Sequence, residues 1–395
     1  MMAEKRVYAL WDDLTPFQGG ESRAIAGEWK GEKALYLNQM NSAFFLQEEI
    51  IFPTFRLEAE VAIPGEVGFV GLIFGATDES NYELVYLAPI EIQYDPIMNG
   101  SMTWQIYNGP SYQKALPDMT GQWHRLIVEA GPEGAKVFLN DQTAPMLVIP
   151  NLQHGGKRLG KVGFWNYVPC YIRNFSIQEL SSAQGSLPVP LQPEALIQNQ
   201  SENDSFLTEW LVRSLAAPET ERDNRSVTDS QSVIDNVPEK GNQSVTDNMR
   251  EAGEQLWVKA LAEENGTLNL NRLWEAKQGS CAEVISRFML QEEEDTCLTL
   301  GYSDSIRLWV NDIEVYGGNW LWQPPSHDGR IRPDHATVLI KWRKGVNTVR
   351  AEVTQREGFG WGVAIKTGLR EVAFLNDEHL KSQEHMWQNM LSHKR

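Results

Sequence analysis

The sequence predicts an all-β protein: two β-sandwiches of the jelly-roll type, joined by an acidic segment and followed by a short helix. Three observations carry this. Apolar and polar residues alternate with period two along several short runs, as in 55–63 (F-R-L-E-A-E-V-A-I), the mark of a half-buried strand. Pro-Gly, Asn-Gly, Gly-Pro and Gly-Gly pairs separate these runs at short intervals, where chain reversals need them. The composition then breaks sharply between about 181 and 255, which holds 13 acidic against 5 basic residues, and no Phe, Trp or Tyr falls between 211 and 256.

In order, 55–63 is a strand with one wet face. Residues 68–75 (G-F-V-G-L-I-F-G) are apolar at nearly every position and read as a strand buried on both faces, with 82–87 as its partner. Strands follow at 123–129, 135–139, 163–167 and 171–177. Residues 206–212 form an isolated strand that belongs to the second sandwich, and the acidic insertion, about 214–254, is a flexible loop after it because it has so little to bury. Further strands lie at 255–259, 283–290, 296–300, 306–310, 336–341, 348–353 and 361–366. The domain division is therefore 1–180, a linker at 181–204, 205–372, and a terminal helix at 373–395. Asn376 caps that helix, and Leu380, Met386, Trp387, Met390 and Leu391 share one of its faces.

The chain has 395 residues and a net charge of −18, which argues against nucleic acid or an anionic membrane as partner. No run approaches the roughly 18 apolar residues that span a bilayer. The N-terminus has no apolar core or small-residue cleavage site of a signal peptide, so the cytoplasm is the expected location. Cys170, Cys281 and Cys297 are too few and too scattered for a disulfide framework or a zinc site. Free buried thiols are expected, with a Cys281–Cys297 bridge as the alternative. The sequence leaves the oligomeric state open.

The most informative stretch for function is 91–112, E-I-Q-Y-D-P-I-M-N-G-S-M-T-W-Q-I-Y-N-G-P-S-Y. Tyr94, Trp104, Tyr107 and Tyr112 offer flat apolar faces; Asp95, Asn99, Gln105 and Asn108 offer donors and acceptors. Rings that stack beside amides and a carboxylate suit a saccharide. A core with an Asn-Gly turn is the competing reading. A second candidate is the long connection 319–335, with Trp320, Trp322, His327, Arg332 and His335. No cofactor is expected, with calcium at Asp12-Asp13 or residues 292–295 as the lesser alternative. Catalytic signatures are weak. Glu91 and Asp95 share a strand face about 13 Å apart, too far for a glycosidase pair unless the strand ends between them. His327 would have to join one of them.

The succession 123–129 (W-H-R-L-I-V-E), 136–141 (K-V-F-L-N-D), 160–165 (G-K-V-G-F-W) and 171–177 (Y-I-R-N-F-S-I) resembles the end of concanavalin A-like domains of the laminin-G and glucanase kind. The succession 206–212, 303–315, 339–353 and 358–365 is similar to galactose-binding-like sandwiches, which accompany many bacterial glycosidases. The hairpin is kept here with substitutions, Ser303-Asp304-Ser305 and Asn311-Asp312. The glucanase E-x-D-x-E strand is absent. Both resemblances imply a stand-alone or accessory saccharide-binding protein. A glycoside hydrolase or lyase with its site between the domains is the alternative, and a protein-interaction module the third.

Overall fold

The computed structural model describes residues 5–19, 23–48, 50–132, 134–154, 160–180, 206–215 and 256–375. Its architecture is all-β with antiparallel pairing in every sheet. The first sandwich stacks two sheets. One runs Leu147–Ile149, Gly134–Leu139, Trp123–Gly131, Phe55–Ala62, Cys170–Glu179, Glu32–Leu37, Ala24–Trp29, with Lys5–Tyr8 added against Cys170–Glu179. The other runs Gln113–Ala115, Glu91–Tyr94, Asn81–Leu87, Phe69–Asp78, Lys161–Val168, Ser42–Leu46, Phe17–Gln18.

The second sandwich pairs a larger sheet, centred on Cys281–Leu290 and Gly345–Thr354, with a four-stranded one of Thr267–Asn269, Gly362–Lys366, Glu294–Ser303 and Ala336–Trp342. The segment near 206 lies here in two pieces. Phe206 makes a single bridge to Lys366, and Glu209–Leu215 pairs with Val258–Leu261 and Cys281–Leu290. The terminal helix read at 373–395 lies mostly outside the described residues; Ala373–Phe374 within it is a short strand against Met289 and Phe288. Among the described residues no helix is long and apolar enough to cross a membrane.

Alternation explains the first sheet. Along Phe55–Ala62, Phe55, Leu57, Ala59 and Val61 face the core, while Arg56, Glu58 and Glu60 face outward and pair with Arg125, Glu129 and Arg173. The second sheet has no such wet face at its centre. Val70, Leu72 and Phe74 enter the shared core, and the alternate residues Ile73, Leu84, Tyr86 and Trp165 build a second apolar layer on the opposite side. Gly71 is what lets that layer close. It stands between Tyr86 and Trp165 in register, and a Cβ there would lie 2.2 Å from the Val85 carbonyl oxygen. With no side chain between them, the two rings approach to 5.5 Å.

The three cysteines are free: Cys170 is buried, Cys281 half-buried and Cys297 exposed. Burial of Cys297 is thus corrected. It lies on Glu294–Ser303 directly opposite Leu339, which is itself exposed.

Candidate functional site

Segment 95–112 leaves the edge of the second sheet and folds back over its outward face. Asp95 organises the return. Its carboxylate accepts from the Thr103 backbone N–H (2.6 Å) and the Thr103 hydroxyl (3.3 Å). The Thr103 carbonyl in turn accepts from Ile106 and Tyr107 N–H, closing a tight turn. Ile97 joins the second apolar layer and Met102 packs against it. Gln93 ties the turn down through Nε2, which donates to the Tyr107 carbonyl at 2.8 Å.

The polar side chains of this segment bond to the second sandwich. Asn99 Nδ2 donates to the Asn271 carbonyl (2.7 Å) and Asn108 Nδ2 to the Ile331 carbonyl (3.1 Å). Gln105 accepts from the Ser303 hydroxyl (2.6 Å) and donates to Glu357 (3.3 Å), while its carbonyl accepts from Ile331 N–H. The Tyr107 hydroxyl donates to Glu263 (2.7 Å), which also accepts from Asn269 and Arg272. Amides drawn from water need partners; the second sandwich supplies them for Asn99 and the buried Gln105, and shares Asn108 with the local Gln105 and Ile106 carbonyls.

A cleft of about 240 Å³ remains open along this seam. Phe69, Tyr86, Met102, Trp104 and Tyr167 come from the first sandwich, Trp322 and Phe359 from the second. Its charged lining is one ion pair, Arg330 to Glu91 at 3.0 Å. The guanidinium also donates to Gln113 (2.6 Å) and stands over the Trp104 ring at 5.1 Å. Gly329, at φ +69°, aims Arg330 inward; a Cβ there would meet Gln105 Nε2 at 2.8 Å. Trp322 begins a small hairpin, paired across Pro324-Pro325 with Asp328, and is 48% exposed at the cleft mouth, whereas Trp104 is 9% exposed in its wall.

The structure thus divides the sequence candidates. Trp104, Glu91 and Trp322 meet in one cleft. Tyr94, Asp95, Gln105 and Tyr107 are sealed from solvent, which corrects their reading as ligand contacts: Tyr94 belongs to the sandwich core and its hydroxyl donates to Glu83 (2.6 Å). Asn99 and Asn108 are committed to the seam. Tyr112 stacks on Tyr94 at 5.8 Å and lines a separate polar groove with Glu263 and Arg272. Trp320 packs between His335 (4.0 Å) and His327 (4.4 Å), and Arg332 binds Asp328 (3.0 Å); none of these five lines the cleft.

As an acid–base set, Glu91, Asp95 and His327 do not converge. Glu91 is held by Arg330. Asp95 is buried with one carboxylate oxygen lacking any hydrogen-bond partner, and burial pushes it up to about 7. Burial likewise pushes Glu83 up to about 7, against the hydrogen bond from Tyr94. Among the described residues no three His, Cys, Asp or Glu side chains gather to hold a metal ion.

Sequence reasoning missed Phe69, Tyr86 and Phe359 as cleft residues, and it gave Arg330 no role apart from the rest of the 319–335 connection. The signal for the first two was present, since residues 68–75 and 82–87 are apolar on both faces.

No protein-family model matches the chain, and no curated protein does. Among solved structures it is similar to the carbohydrate-binding module CBM66 from Bacillus subtilis (15% identity over 38% of this chain and 88% of that one, TM-score 0.30). It is also similar to a protein of unknown function with a galectin-like fold from Bacillus subtilis (13%, 45% and 98%, TM-score 0.33). A third is domain 4 of AbnA, a GH43 extracellular arabinanase from Geobacillus stearothermophilus, in complex with arabinotriose (17%, 47% and 98%, TM-score 0.33).

Proposed function

We propose that this chain is a non-catalytic saccharide-binding protein that holds its ligand in the cleft between a concanavalin A-like first sandwich and a galactose-binding-like second one. The observation that carries the reading is Trp322, a half-exposed indole held on a hairpin at the mouth of an aromatic-walled cleft. Sugar rings present C–H faces that pack on such surfaces, and the walls of Trp104, Tyr167 and Phe359 continue the platform inward. The Arg330–Glu91 pair supplies the oriented polar end. Glu91 is already bound to a guanidinium, which supports recognition over proton transfer.

A glycan array on the full chain, followed by calorimetry on any hit, tests this. Trp322→Ala should weaken binding by roughly 1–3 kcal/mol, the range of an anchoring aromatic, with the melting temperature unchanged because the ring is exposed. Chelating calcium should leave affinity as it was. A bound glycan that is cleaved on overnight incubation would replace this reading with the enzymatic one, and retention of full affinity by Trp322→Ala would move the site elsewhere.

A further inference from the structure

The second sandwich has a groove of its own, about 300 Å³, on its larger sheet. Leu211, Leu261, Ile285, Phe374 and Leu375 give it apolar walls, and two cations stand in its lining, the half-buried Arg287 and the exposed Lys259. The volume is at the lower end of the range for small-molecule sites. Register sets the arrangement. Leu211 sits opposite both Ile285 and Lys259, so alternation turns Ile285 and Arg287 of Cys281–Leu290 to the same outward side, away from the buried Phe288.

Charge singles out Arg287. The other arginines on this face are paired: Arg213 with Glu283 (2.7 Å), Arg350 with Glu283 (3.2 Å), Arg307 with Glu314 (2.7 Å). Arg287 is half-buried in the groove, and among the described residues its guanidinium has neither an ion pair nor a hydrogen bond. Glu209 also lines the groove but is exposed and makes no ion pair with it. A guanidinium on a partly covered surface with no counter-charge of its own is free to receive an anion. Its planar fork matches a carboxylate through two parallel hydrogen bonds.

We propose that this groove is a second ligand site, taking a monocarboxylate with an apolar body: the carboxylate on Arg287, the body against Ile285, Leu261 and Phe374. The site is independent of the cleft between the sandwiches.

The test is calorimetric titration of the full chain with cinnamate and, in parallel, with its neutral amide. Cinnamate should bind at least about tenfold more tightly than cinnamamide, the difference a charge-assisted bidentate contact makes. Arg287→Gln should erase that preference at an unchanged melting temperature, and Arg287→Lys should keep part of it. Trp322→Ala locates the ligand: an unaltered cinnamate affinity is expected. Equal affinity for acid and amide, no binding of cinnamate at millimolar concentration, a folded Arg287→Gln variant that retains the preference, or loss of cinnamate binding in Trp322→Ala would each overturn the proposal.

Discussion

The two sheets of the first sandwich share one core and differ in what they show the outside. The first presents a lattice of charge on its outward face, Arg125 to Glu58 at 2.8 Å, Arg56 to Glu129 at 2.8 Å and Arg173 to Glu60 at 2.5 Å, every member partly exposed to water. The second presents Ile73, Leu84, Tyr86 and Trp165, roofed by segment 95–108 and by the second sandwich. Among the described residues the ion pair at this face takes its arginine from the second sandwich. A solvated ladder is close to energetically neutral because solvent screens it. A seam that buries rings and a handful of polar groups depends on each of those groups finding its partner.

The sharpest way to break this contrast is Arg330→Met. It strands Glu91 at the seam and should cost roughly 2–3 kcal/mol in urea unfolding, below the usual range for a severed buried pair because Glu91 keeps some solvent. Arg330→Met with Glu91→Leu should recover most of that loss. Next comes Tyr107→Phe, which removes the donor to Glu263 and should cost about 1–2 kcal/mol.

A pH series then sharpens the comparison. Burial raises Asp95 and Glu83 to about 7, above the carboxylate values of the unfolded chain. Their contribution to stability is therefore complete below pH about 4 and is lost as pH rises through about 7. His154, lowered to about 4 by burial, has the opposite slope: its contribution is present above about 6.5 and is lost as pH falls. Asp95→Asn should accordingly gain stability relative to the parent chain between pH 5 and 8. A flat difference across that range would place the Asp95 carboxylate in water. Smallest of all, Glu58→Gln should shift stability by only about 0–1 kcal/mol. A loss equal to that of Arg330→Met would mean the ladder is no ordinary solvated surface.

The wet sheet was legible in the sequence because period-two alternation reports water directly, and 55–63 gave its strand to within a residue. The stretch 91–112 was legible as unusual, and Trp104 does line the cleft, but its amides bond to the second sandwich. An amide hydrogen-bonding a backbone carbonyl of a distant domain looks, in one dimension, the same as an amide waiting for a sugar. Asn99 to Asn271 spans a sequence separation of 172 residues, and Asn108 to Ile331 one of 223. Nothing local encodes such pairings. The two-sided apolar runs at 68–75 and 82–87 carried the missing information. They say that a face is covered, though not by what, and Tyr86 and Phe69 reach the cleft because the cover stops short of them.

Asn99, Gln105 and Asn108 also bear on how this pair of sandwiches can be passed on. Modules joined by a free linker can be cut apart and recombined like beads. Here the first sandwich on its own would leave the Asn99 and Gln105 amides without their partners and bare an aromatic sheet, and the second would lose the donors to its Asn271 and Ile331 carbonyls. Cutting the chain between them opens a seam that side chains of both had closed.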